Sequence, residues 1–153
     1  MPRLVCLLPL ALGALVYAVF GHPFLPMIQL ELAGTADRAV EIVNGRTSDF
    51  RDAVVVDWVA FIPGYVLSIV LAARRLASHR LATLVTVLAM VAGALDVVEN
   101  AWLWRGLTDP TQAAFALATA FASTKFVLLL PAAVIAVLAL VRPTARERVA
   151  TPA

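Results

Sequence analysis

The chain holds a single lysine, a single cysteine and unusually little charge: Asp, Glu, Lys and Arg make up 14% of its 153 residues. Soluble domains carry about 25% charged residues and about 45–50% apolar ones. Here 62% are hydrophobic and the mean hydropathy is +0.92, more apolar surface than a soluble fold of this length could hide. One cysteine, Cys6, excludes an internal disulfide, and without a CxxC pair there is no thiol site for metal or redox chemistry. The formal net charge is only +2, and the basic residues are scattered rather than massed on a stripe, which argues against a nucleic-acid partner. No G-x-S-x-G, P-loop, G-x-G-x-x-G or H-E-x-x-H string occurs.

What remains is a single membrane domain over residues 1–153. A spanning helix needs about 20 mainly apolar residues, and four windows qualify: about 4–24, 53–73, 81–104 and 113–141. The expected fold is an all-α, four-transmembrane-helix bundle with a short extracytoplasmic amphipathic helix between helices 1 and 2. Met1-Pro2-Arg3 ahead of an apolar run could open a cleaved signal peptide. However, the uncharged stretch from Leu4 to Leu30 is long for a signal core, and His22-Pro23 and Pro26 disturb a cleavage region, so a retained helix is expected. The fourth window exceeds a bilayer's need, so its first turns should project or the helix should tilt.

Orientation follows from arginines near the span ends. Arg74, Arg75 and Arg80 between spans two and three share a side with Arg3, Arg142, Arg146 and Arg148, whereas Arg38, Arg46, Arg51 and Arg105 are offset by acids such as Glu31, Asp37, Glu41, Asp49, Asp52 and Asp109. Both termini should therefore be cytoplasmic. Eleven arginines with abundant Ala, Val and Leu suggest a GC-rich bacterial genome, and hence a bacterial cytoplasmic membrane. In the outer segment Thr35 is a natural N-cap for a helix over 36–44. Gly45 suits its left-handed end, and Ser48 could cap span two. That helix would lie on the outer surface or act as a lid.

Asp57, Asp96, Glu99, Asn100 and Lys125 interrupt stretches that are otherwise as apolar as lipid. Ionisable groups at membrane depth cost about 2.5–3.5 kcal/mol on insertion scales, so they have partners and often a task. Asp57 lies seventeen residues from Arg74, Asp96 sixteen from Arg80, Lys125 seventeen from Arg142 and His22 nineteen from Arg3. At 1.5 Å per residue these are heights of about 24–28 Å in a core about 30 Å thick. Trp58, Trp102 and Trp104 fall at the same level. Spacings of three and four put Asp96, Glu99 and Asn100 on one helical face. The expected arrangement is an ion-paired layer, Asp57–Lys125–Asp96/Glu99, with Asn100 and Thr124 completing hydrogen bonds. Such a layer could be purely structural or could line a ligand or catalytic pocket; alternatively Lys125 could snorkel to the headgroups.

Other features have simpler readings. Pro63-Gly64 should kink span two and free the Val59 carbonyl, and Pro131 should bend span four. Ala114, Ala118 and Ala122, and Ala116 with Ala120, are small residues spaced for close helix packing. His22 and His79 should lie on opposite sides, which leaves no metal site. A hard cation on Asp57, Asp96 and Glu99 would compete with Lys125. No cofactor is implied. The leading reading is an integral membrane protein that binds a small amphipathic ligand or a partner helix at the layer, with membrane lipid around it. The alternatives are an embedded enzyme doing acid–base chemistry on a lipid or isoprenoid, and a small ion- or proton-coupled carrier.

The strings ELAGTADRAVEI, VVDWVAFIPGY, ALDVVENAWL and TKFVL resemble a family of small, uncharacterised bacterial integral membrane proteins. Its pattern is AGT-x-ERA, then Asp with F-I-P-x-Y, then D-x-x-E-N, then Lys-Phe. Gly34, Thr35, Asp57, Pro63, Tyr65, Asp96, Glu99, Asn100 and Lys125 occupy those places, and Asp37 stands where the family has Glu. The resemblance covers roughly residues 31–130 and implies a four-helix membrane fold without an assigned activity.

Overall fold

The computed structural model describes residues 3–20 and 24–141, and every regular element among them is helical. The long uncharged run at the start forms two helices rather than one: α1 (Arg3–Val19) and α2 (Phe24–Glu31). Then follow α3 (Ala36–Val43) and α4 (Thr47–Val56), which continues through a π-helical turn (Asp57–Phe61) into α5 (Ile62–Ala73). The chain closes with α6 (His79–Thr108) and α7 (Gln112–Val141). The continuous rod Thr47–Ala73, α6 and α7 are long and apolar enough to cross a bilayer, while the apolar part of α1, Leu4–Val19, is shorter. The chain is therefore a helical membrane protein, with at least these three candidate spans among the described residues.

Local signals act much as sequence chemistry dictates. The Thr35 hydroxyl accepts from the Arg38 amide at 3.3 Å, and α3 ends with Asn44 and Gly45 both in the left-handed region, at φ 44° and 78°. Ala39 and Val43 turn inward, whereas Val40 is exposed. Ser48 is no cap: α4 begins one residue earlier, and the Ser48 hydroxyl faces the Asp49 carboxylate instead. The expected kink at Pro63 takes the form of the π turn. Proline has no N–H to give to Val59, and the ladder re-registers upstream, with the Ile62 amide donating to the Asp57 carbonyl five residues back. A π turn of this kind adds a residue to the helix and here presents Asp57 inward and Val59 outward. Helix α7 runs unbroken through Pro131.

Packing without a hydrophobic drive between spans relies on close backbone approach. Helices α6 and α7 share the most extensive interface, and Ala114, Ala118 and Ala122 are buried in the bundle while Ala116 and Ala120 face outward, contrary to the expectation that both stripes pack. Helix α1 lies on α5 through two reciprocal glycines. A Cβ on Gly13 would meet the Ala60 carbonyl oxygen at 2.7 Å, and one on Gly64 would meet that of Pro9 at 2.7 Å. Beside them the Leu10 amide donates to Ser68 Oγ at 3.0 Å. The core falls into two apolar clusters. One gathers Met27, Leu30, Phe50, Leu103 and Phe115; the other gathers Cys6, Ile62, Ile69, Val85 and Ala132. On the π turn, α6 and α7 the charged residues sit between these two clusters.

Candidate functional site

The junction of the two clusters is built from side chains that each helix delivers for its own reason. The π turn directs Asp57, and three- and four-residue spacing on α6 directs Asp96, Glu99 and Asn100 to one face. Helix α7 brings Lys125 in from the same side as the buried alanine stripe. All are sealed from solvent: Glu99 and Asn100 are 0% exposed, Asp96 and Lys125 3%, and Asp57 7%. Lys125 therefore does not snorkel. Its ammonium donates to Asp96 Oδ1 at 2.8 Å and lies 2.7 Å from Glu99 Oε2. The pairing of Lys125 with Asp96 and Glu99 follows the arrangement read from sequence.

The third acid at Lys125 is a different residue from the one expected. Glu31, at the end of α2, accepts from Lys125 at 3.2 Å and is equally buried, at 7% exposure. Asp57 makes no ion pair with Lys125; its Oδ2 accepts from Asn100 Nδ2 at 2.5 Å. The π turn sets Asp57 beside the Asn100 side of α6, and Glu31 reaches the lysine because the linker after α2 is tied to α7. Thr119 accepts from the Gly34 amide at 2.9 Å and donates to the Glu31 carbonyl at 2.8 Å. Gln112 closes the same linker from above, accepting from Ala36 N at 3.0 Å and donating to Gly34 O at 3.2 Å. Thr124 takes no part: exposed, it bonds the Ala120 carbonyl of its own helix. His22 lies outside the described residues.

Two tyrosines join the site. Tyr65, on α5, donates to Asp96 Oδ2 at 2.8 Å, so Asp96 is held on both oxygens. Tyr17, Phe61 and Tyr65 form an edge-to-face series with successive centroids 6.0 Å apart. The tryptophans cluster toward the α6 C-terminus. Trp58 donates to the Val97 carbonyl at 3.3 Å and stacks with Trp104 at 6.3 Å, and Arg51 covers Trp104 while capping the end of α6 through Leu107 O and Thr108 Oγ1.

Beside this layer opens a cleft of about 220 Å³, bordered by Tyr17, Glu31, Asp57, Phe61, Tyr65 and Phe126 and also by Asp96 and Lys125. A second, almost wholly apolar cleft of about 200 Å³ lies alongside, walled by Leu10, Ile69, Ala133 and Ala136. Phe61, Tyr65 and Leu129 border both. Helices α1 and α7 share no extensive interface, and both clefts are lined by residues of α1, α5 and α7. Three carboxyl groups, Glu31, Asp96 and Glu99, thus share one ammonium, and a fourth, Asp57, lies beside them on Asn100. Glu99 Oε1 and Asn100 Oδ1 are buried without a hydrogen-bond partner. Among the described residues no group of three His, Cys, Asp or Glu side chains could hold a metal ion. Set against family models, curated proteins and solved structures, the chain matches none, and the chemistry of the site rests on this geometry.

Proposed function

We propose that the chain is a multi-pass protein of a bacterial cytoplasmic membrane that binds a small amphipathic molecule between α1 and α7. The molecule's polar head rests at the charged layer and its tail in the apolar cleft. One observation carries this reading: a largely apolar cleft bordered by four charged residues runs beside one with apolar walls, and three side chains are common to both. Ligand sites are mostly apolar, with a few placed polar groups that fix orientation, and this pair of clefts has that composition in two halves. The topology that supports it has four crossings, α1, the Thr47–Ala73 rod, α6 and α7, with α3 outside and both termini on the cytoplasmic side. The arginines at 74, 75, 80, 142, 146 and 148 favour that orientation. Helix α1, at 17 residues, spans about 25 Å, and α2 extends the apolar path.

The test is native mass spectrometry of protein purified in a neutral detergent, with decanol, decanoate or decyltrimethylammonium added in turn. At least one amphiphile is expected to bind at unit stoichiometry and to be lost in Ala133→Phe, which fills the apolar cleft. Failure of all three to bind to the delipidated protein refutes the proposal.

A further inference from the structure

We infer that the head of this ligand is an organic cation, an amine or quaternary ammonium, held by Asp57 within a wall of aromatic rings. The inference rests on the proposed amphiphile site and adds the charge of the occupant.

The first observation is the state of Asp57. It is nine-tenths buried, it borders the cleft, and its one polar contact is the amide of Asn100, to Oδ2. Its other oxygen carries no hydrogen bond among the described residues. The other acids at the cleft are engaged, Glu31 and Asp96 on Lys125 and Asp96 also on Tyr65. Lys125 is spoken for by three carboxylates, so it neither neutralises Asp57 directly nor repels a cation as a bare ammonium would. A buried carboxylate without a cationic partner is costly, and the cluster as a whole calls for positive charge beyond the single lysine.

The second observation is the wall. Tyr17, Phe61 and Tyr65 line the cleft that Asp57 borders, as does Phe126, whose ring already carries the Lys125 ammonium at 4.8 Å. Aromatic faces carry negative potential and attract cations, quaternary ammonium groups above all. The third is the shortage of donors. An anionic head would need N–H or O–H groups, but Lys125 gives its protons to its carboxylates, Tyr65 to Asp96 and Asn100 to Asp57. Size agrees as well. A cavity of about 150 Å³ accepts benzene, so 220 Å³ takes a trimethylammonium head with its first methylenes, while the chain continues past Leu129 into the apolar cleft.

The three decyl compounds share a tail and differ in head charge, which makes them the probe. In neutral micelles, decyltrimethylammonium is expected to bind at least about tenfold more tightly than decanol, and decanoate more weakly than either. Asp57→Asn should bring the ammonium compound down to the decanol level and leave decanol unchanged. Glu41→Gln, which removes an exposed acid on α3, should change nothing. Should Asp57→Asn prove unfolded by circular dichroism, Tyr17→Leu serves instead, since Tyr17 lines this cleft and not the apolar one, and should weaken the ammonium several-fold while sparing decanol. If decanol or decanoate binds as well as the ammonium, the cation inference falls and the amphiphile site stands. If none binds, both fall. If the ammonium is preferred but neither variant weakens it, the site is misplaced and the inference falls.

Discussion

Replacing Lys125 by methionine, which keeps the length of the side chain and deletes its charge, should be among the most damaging single changes in the molecule. The ammonium sits 2.7–3.2 Å from three carboxylates. At an effective dielectric constant of about 20, one such pair at 2.8 Å is worth about 6 kcal/mol before desolvation. Desolvation of several kcal/mol per ion offsets most of that in the intact layer, yet removing one partner leaves the others buried and uncompensated, at a cost of about 3–5 kcal/mol. In a membrane the separated helices stay inserted and their polar groups find other partners, which moves the value toward the lower end. We therefore expect a loss of about 3 kcal/mol, a factor of roughly 150 in the folded population. Equilibrium unfolding in mixed micelles, followed by tryptophan fluorescence and circular dichroism, measures it. The quadruple variant Lys125→Met, Glu31→Gln, Asp96→Leu, Glu99→Met should recover much of the loss, since none of the three carboxylates on the lysine is then left stranded. If Lys125→Met unfolds within about 1 kcal/mol of the parent, or the quadruple variant is worse than the single one, the ion-pair reasoning is wrong.

Gly13→Ala and Gly64→Ala should each cost about 1–3 kcal/mol in the same assay, because the new methyl meets a backbone carbonyl at 2.7 Å and no side chain can yield; an unchanged midpoint would show that α1 rides freely on α5. Thr119→Val removes both hydrogen bonds to the Glu31–Gly34 linker, at about 1–2 kcal/mol, and should raise hydrogen exchange at residues 31–36 without affecting α6. Tyr65→Phe leaves Asp96 with Lys125 alone and should cost about 1.5–3 kcal/mol, a charged acceptor having lost its donor; a neutral result would mean that the hydroxyl is not needed there.

The sequence revealed the helices and the buried charges because both are one-dimensional signals: hydropathy over bilayer length, and ionisable groups inside it. It did not reveal which charge meets which. Asp96, Glu99 and Asn100 share a face, but a helical face of that width has two neighbours. Asp57 meets Asn100 and Glu31 meets Lys125 only because of how α2 and the π turn are placed. Glu31 looked like a loop acid balancing nearby arginines. The one hint was its position directly after a stretch of 27 uncharged residues, Leu4 to Leu30, which makes it the first acid the chain can bring back to the layer. Tyr65 offered a weaker signal, a hydroxyl in an apolar stretch that must find a partner when buried. Pro63 announced a defect in the helix without specifying that an inserted residue, rather than a bend, would absorb it.

The layer also helps to set the register of α7 on α6. Small residues such as Ala114, Ala118 and Ala122 permit close approach, and Phe115 stands over Gly106, where an added Cβ would come within 2.8 Å of its ring; a slide by one turn would lift it away. Such a slide moves Lys125 by about 5.4 Å, far enough to break contacts of 2.7–3.2 Å to three carboxylates at once. Two of those carboxylates are on α6 and the third on α2, so the lysine fixes the height of α7 against both. The charge cluster thus adds an electrostatic penalty to any other alignment, on top of what packing imposes. The same alignment leaves Asp57 beside the cleft without a cation of its own.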